Sequence, residues 1–177
     1  SYDDTVDAAH EFERRSGAVF VHAYEDARTA AGQGTVALEI LDQCPDLAAV
    51  LVPTGGGGLL AGVATVLAAL APRVRVIAVQ PDASPALRES LRRGQPLLRY
   101  PAGSTLADGL AGGVGQIAFD HRDLFHQVVE VSETEIEDAI VELLAADQLV
   151  VEASGAVGVA ALRSGRLEDP GRGPIVS

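Results

Sequence analysis

Four consecutive glycines, Gly55-Gly56-Gly57-Gly58, separate an apolar run at residues 48–54 from an uncharged, alanine-rich stretch at residues 59–70. With no side chains in the way, successive backbone N–H groups can turn inward, and each glycine so ordered gives up conformational entropy. Strand, glycine loop and helix in that order restrict the chain to folds in which a strand end meets a helix N-terminus. The positive end of the helix and its open amides then favour an anion. A phosphorylated cofactor or substrate is the expected occupant, although glycines also permit a tight turn with no ligand.

Two familiar phosphate loops fit poorly. A nucleoside triphosphate loop needs lysine and then serine or threonine after the glycines, whereas Leu59-Leu60 follow here and all 13 basic residues are arginine. A dinucleotide fingerprint matches formally through Gly56, Gly58 and Ala61. It calls for an acid near the end of the next strand to hold a ribose, where Gln80 stands, with Asp82 beyond Pro81. A nicotinamide-binding domain is therefore a rival reading with weak support.

Hydrophobic patterning alternates helix and strand along the chain. Residues 5–15 read as an amphipathic helix stopped near Gly17, and residues 18–22 as a short strand. Residues 23–33 read as a linker, after which Thr35 caps a helix carrying Val36, Ile40 and Leu41. Residues 48–54 form an apolar strand of the kind a parallel sheet covers on both faces. Residues 59–70 read as a helix buried nearly all round, residues 74–80 as a strand, residues 86–93 as a helix and residues 96–115 as loop. Residues 127–131 form a further strand, and Ser132-Glu133-Thr134-Glu135 is a capping box for a helix over residues 134–147. Ser154 is expected to cap a helix over residues 155–162, and residues 173–177 read as a buried strand. The pattern predicts an α/β, three-layer fold, a mostly parallel sheet with helices on both faces. Ligands of such sheets sit at the carboxyl ends of strands, which here means Thr54-Gly55, Gln80-Pro81 and Ser177.

With 177 residues, 47% of them hydrophobic, the chain can bury a core of ordinary size or form part of a larger protein. Its net charge of -12 argues against nucleic acid or an anionic membrane as a partner. Cys44, beside Pro45, is the only cysteine, which leaves no disulfide framework and no cysteine metal cluster. His10, His22, His121 and His126 show no metal-binding spacing. Residues 47–72 are uncharged and long enough to span a bilayer, but Pro53 and the glycine run would leave backbone groups unsatisfied in lipid. Asp3, Asp4, Asp7 and Glu11 stand where a signal peptide would carry basic and apolar regions, so a cytoplasmic location is expected.

The segments GQGTVALEIL, VLVPTGGGGLLAG, VRVIAVQP, TLADGL, VEASGAVGVAAL and PIVS stand in an order and spacing that resemble the pyridoxal-phosphate-dependent serine/threonine dehydratases and serine racemases. These enzymes have the tryptophan-synthase-β-like fold, fold type II, and the resemblance spans essentially the whole chain. It implies pyridoxal 5'-phosphate as cofactor, its phosphate held by backbone N–H groups of Gly55, Gly56, Gly57 and Gly58 with Leu59 next. It also implies that Ser177 offers the pyridine nitrogen a neutral hydroxyl, an arrangement suited to eliminating a β-leaving group. Glu152 and the loop Asp108-Gly109 match positions beside the cofactor. An acid favoured by a helix N-terminus and an ordinary Asp-Gly turn would account for those residues equally well.

By the same resemblance the parent enzyme is a dehydratase that converts L-threonine or L-serine to a 2-oxo acid and ammonia. A serine racemase is the nearest alternative, and a non-catalytic relic of the fold a third. The complete protein is expected to be a homodimer taking a small amino-acid substrate. The family's Schiff-base lysine has no counterpart here, so no catalytic residue is assigned. The chain is expected to be an excerpt, inactive alone, with residues 1–22 ending a small domain and residues 23–177 forming part of the large cofactor domain. Relatives activated by a divalent cation carry glutamate where Gln80 stands and a second acid where Ala86 stands. An uncharged glutamine makes a weaker oxygen site, and no dedicated metal is expected.

Overall fold

A computed structural model describes residues 2–177, with side chains from Asp4 onward. Four parallel strands, β1 (Ala49–Pro53), β2 (Arg75–Pro81), β3 (Gln127–Val131) and β4 (Ile175–Val176), form one sheet in the order β3-β2-β1-β4. Val50 lies beside Val76 on one side and Val176 on the other, and Val79 lies beside Val129. Helices α1 (Tyr2–Ser16), α2 (Ala27–Gln43), α3 (Gly58–Leu70), α4 (Ala86–Arg93), α5 (Gln116–Asp120), α6 (Glu133–Ala146) and α7 (Ala153–Arg163) complete the chain.

Alternation along the strands sorts the core into two halves. Val50, Val52, Val76 and Ala78 pack with Leu60, Val63 and Leu67 of α3, Ala37 of α2 and Leu87 of α4. Ala49, Leu51, Ile77 and Val79 face the opposite way, onto Ile136 and Ala139 of α6 and Ala156, Val157 and Ala160 of α7. The expected three-layer α/β architecture, helices on both faces of a parallel sheet, is what forms. Its central strands, β1 and β2, are covered on both faces, and their ends carry Thr54 and Gln80.

Local expectations fail where a tertiary contact outweighs the local signal. Residues 18–22 are not a strand. Val19 and Val21 are 77% and 65% exposed, and the Phe20 amide donates to the Glu13 carboxylate rather than to a neighbouring strand. The expected linker at residues 23–33 is mostly helix, because Asp26 caps α2 by accepting from the Arg28 amide at 2.8 Å. Thr35 lies inside that helix and donates to the Gly32 carbonyl. Within that helix Gly34 packs closely on α3, since a Cβ on Gly62 of α3 would lie 2.7 Å from the Gly34 amide of α2. Ser154 is not the cap of α7; Glu152 holds that position with no side-chain bond to the helix. Helix α3 is buried over its first half and at Leu67, with Thr65, Ala68, Ala69 and Leu70 exposed. No described helix is long and apolar enough to cross a membrane.

Candidate functional site

The carboxyl ends of β1 and β2 are locked together before the glycine loop begins. The Thr54 amide donates to the Val79 carbonyl and its hydroxyl to the Val52 carbonyl. Gln80 is 0% exposed; its Nε2 donates to the Thr54 carbonyl at 3.1 Å, and its Oε1 accepts from the amides of Leu87 and Arg88. Its polar atoms thus tie two strand ends to the start of α4, a role its spacing did not suggest.

From this anchored point the chain turns through Gly55 and Gly56 into Gly57, whose φ of +90° is a left-handed conformation that glycine adopts without steric cost. Among the described residues, no amide from residues 55–60 donates to a protein acceptor. A row of open N–H groups is therefore presented at the N-terminus of α3. They border a cleft of about 360 Å³ lined by the four glycines, Leu59, Tyr24, Gly109, Leu110, Glu152 and Ser154. The N-terminus of α7 reaches the same cleft from the opposite face of the sheet. Two helix N-termini and a run of amides favour an anion, and no cationic side chain lines the cleft. A phosphate held there would be bound by backbone, which is what these residues fit.

Packing crowds each glycine as well, most tightly at Gly56 and Gly57. A Cβ on Gly55 would lie 3.1 Å from the Gly109 carbonyl oxygen, one on Gly56 would overlap the Tyr24 ring, one on Gly57 would overlap the Ala118 methyl, and one on Gly58 would lie 2.9 Å from Tyr24 Cα. The Gly56 carbonyl accepts from the Gly115 amide at 2.9 Å. The loop is clamped from outside while its amides stay open.

The structure brings Gly55, Gly56, Gly57, Gly58, Leu59, Gly109 and Glu152 to one cleft. Gly109 sits in a single 3₁₀ turn, Asp108–Leu110. Glu133 holds that loop by accepting from the Leu106 amide at 2.7 Å. Asp108 itself is exposed. Ser177 is apart: it follows β4, lies outside the cleft lining, and its side chain packs on Gly158 of α7, where a Cβ would overlap it. Tyr24 and Ser154 line the cleft without having been singled out in sequence as site residues. Ser154 neighbours Glu152 in VEASG, which is a usable signal; Tyr24 lies in the stretch read as linker and carries none. Near this end of α2, the Arg28 guanidinium and then the Arg28 amide lower the Asp26 carboxyl to about 2. The described residues contain no group of three or more His, Cys, Asp or Glu side chains arranged to hold a metal.

Comparison with known proteins gives a consistent picture. A family model described as "Pyridoxal-phosphate dependent enzyme" matches residues 1–176. The L-threonine ammonia-lyase of Geobacter sulfurreducens is 44% identical over 172 residues, 96% of this chain and 42% of the relative. The serine racemase of Arabidopsis thaliana is 38% identical over 152 residues, 85% of this chain and 46% of the relative. Among solved structures, a threonine deaminase from T.th. superposes with a TM-score of 0.84 at 36% identity, over 90% of this chain and 60% of that one. Maize serine racemase gives 0.87 at 33% identity, over 94% and 54%. The chain thus spans about half the length, or less, of these curated relatives.

Proposed function

The chain belongs to the pyridoxal-phosphate dependent enzyme family, and from that premise we propose that it is the phosphate-holding part of an L-threonine or L-serine dehydratase. The observation that carries this reading is the row of open amides at residues 55–59, which line a cleft with no cationic side chain. Bound there, pyridoxal 5'-phosphate supplies an electron sink for reaction at the substrate Cα. The amides of the glycine loop and Leu59 bind the phosphate, and the N-termini of α3 and α7 favour its charge. Gly109 would leave room beside the cleft and Glu152 would supply a carboxylate at its rim, while the Ser177 hydroxyl, which stands against Gly158 outside that lining, is assigned to the ring nitrogen by the family resemblance alone. No lysine is present among these residues, so no amine here can move the Cα proton, and the 177 residues alone release no product.

In this reading residues 1–22 belong to a small domain and residues 23–177 to the large cofactor domain of a cytoplasmic homodimer. The net charge of -12 is in keeping with a small-molecule substrate rather than nucleic acid or an anionic membrane. Similarity to serine racemases favours one second reading, racemisation of a hydroxy amino acid. The full-length protein, loaded with coenzyme and given L-threonine or L-serine, separates them: 2-oxo acid with ammonia is the expected product. Enantiomer formation without oxo acid would make it a racemase, and neither product would overturn both.

A further inference from the structure

We propose that Tyr24, set in place by His22 and Glu25, is a positioning residue for the phosphate loop, its ring forming the wall that fixes the Gly56 peptide. This rests on the reading of the glycine loop as the coenzyme phosphate site. The ring lines the cleft and covers Gly56 so closely that a Cβ there would overlap it, while Tyr24 Cα and Cβ stand 2.9 Å from the position a Cβ on Gly58 would take. On the other side of the same peptide, the Gly115 amide donates to the Gly56 carbonyl. A Cβ on Gly115 would in turn lie 3.0 Å from the Tyr24 ring. Gly56 is therefore held between an aromatic face and an amide donor, which leaves its own N–H open.

The ring is itself held by a turn that closes on one histidine. His22 Nδ1 accepts from the amides of Tyr24 at 3.3 Å and Glu25 at 3.0 Å, a role only an unprotonated ring nitrogen can fill. The two rings meet edge to face at 4.6 Å. Thr29 Oγ1 donates to the His22 carbonyl at 3.1 Å. Glu25 Oε1 accepts from the Ile117 amide at 3.1 Å, next to the Gly115 segment that holds Gly56. Histidine, tyrosine, glycine loop and the start of α5 thus form a closed set of contacts. Preorganisation of this kind acts on ligand affinity, because a loop already ordered need not be ordered by the ligand.

The test is titration of the full-length apoprotein with pyridoxal 5'-phosphate, with the melting temperature of each variant measured beside its dissociation constant. Tyr24→Ala and His22→Ala are expected to weaken coenzyme binding about tenfold, the effect of ordering roughly one loop segment. Tyr24→Phe keeps the ring, and His22→Asn keeps a side-chain oxygen able to accept amides two and three residues on. Both are expected to stay within about threefold, as shape-conserving changes do. A purely structural role would lower the melting temperature and leave the dissociation constant unchanged in Tyr24→Ala, which overturns the proposal. Gly57→Ala separates this failure from failure of the phosphate site. If it loses binding while Tyr24→Ala does not, only the positioning role falls; if it binds as the parent does, both fall. Should Tyr24→Ala not fold, the His22 pair decides alone, with equal affinities in His22→Ala and His22→Asn overturning the proposal.

Discussion

Replacing Gly57 by alanine isolates the contact on which the loop's shape depends. Two penalties combine at this position. The φ of +90° puts an L side chain in the left-handed region at a cost of about 1–2 kcal/mol. The added methyl overlaps the Ala118 methyl and approaches Val114 Cγ2 at 3.6 Å, so α5 must shift, and overpacking of this kind costs about 1–3 kcal/mol. The sum, about 2–5 kcal/mol, is a large part of the roughly 5–15 kcal/mol typical of a folded domain. Gly94 provides the reference: it has φ +70° at the end of α4 and nothing within 4 Å of the place an added methyl would take, so Gly94→Ala carries the backbone penalty alone. Urea unfolding followed by far-ultraviolet circular dichroism suits a chain without tryptophan. The midpoint of Gly57→Ala is expected to lie about 1 M below that of Gly94→Ala, with slopes unchanged. Equal midpoints would mean that α5 does not press on the loop, and the clamped-loop description would be wrong.

Gln80→Leu removes a buried clamp and leaves the Thr54 carbonyl and the Leu87 amide unpaired, at about 1–3 kcal/mol for each group; a variant as stable as the parent by urea unfolding would contradict the clamp. Gly62→Ala puts a methyl 2.7 Å from the Gly34 amide and is expected to cost about 1–3 kcal/mol, read as a lower melting temperature. For Asp26, a folded value of about 2 against an ordinary 3.8 means that its contribution is present above the unfolded value and is lost as pH falls through the folded one. Asp26→Asn is therefore expected to flatten the loss of melting temperature on acidification, and parallel pH curves for the two proteins would refute the assignment.

The sheet and most helices could be read from the chain because their signals are local. The apolar run before the glycines and the Ser132–Glu135 capping box, formed in the structure with Ser132 as cap, show in the pattern of neighbouring residues. The start of α2 was read as linker for the opposite reason: the tight space at Gly34, where a Cβ would meet the Gly62 carbonyl oxygen at 3.0 Å, exists only once α3 is placed against α2. The apparent strand at residues 18–22 lacks a pairing partner among the described residues, which no local pattern reveals. At the site, the glycine loop announced itself through composition. Gly109 and Glu152 needed the family pattern to be chosen over ordinary turn and helix-end residues. Tyr24 was invisible, because its relation to Gly56 exists only once α2, the loop and the segment before α5 are folded together.

The most direct measurement is a crystal structure of the full-length protein with pyridoxal 5'-phosphate bound. Phosphate oxygens are expected within about 2.7–3.2 Å of the open amides of the glycine loop, the range of an N–H···O bond, with the Tyr24 ring still covering Gly56. A coenzyme phosphate seated elsewhere, or amides of residues 55–59 bonded to protein instead, would contradict the account.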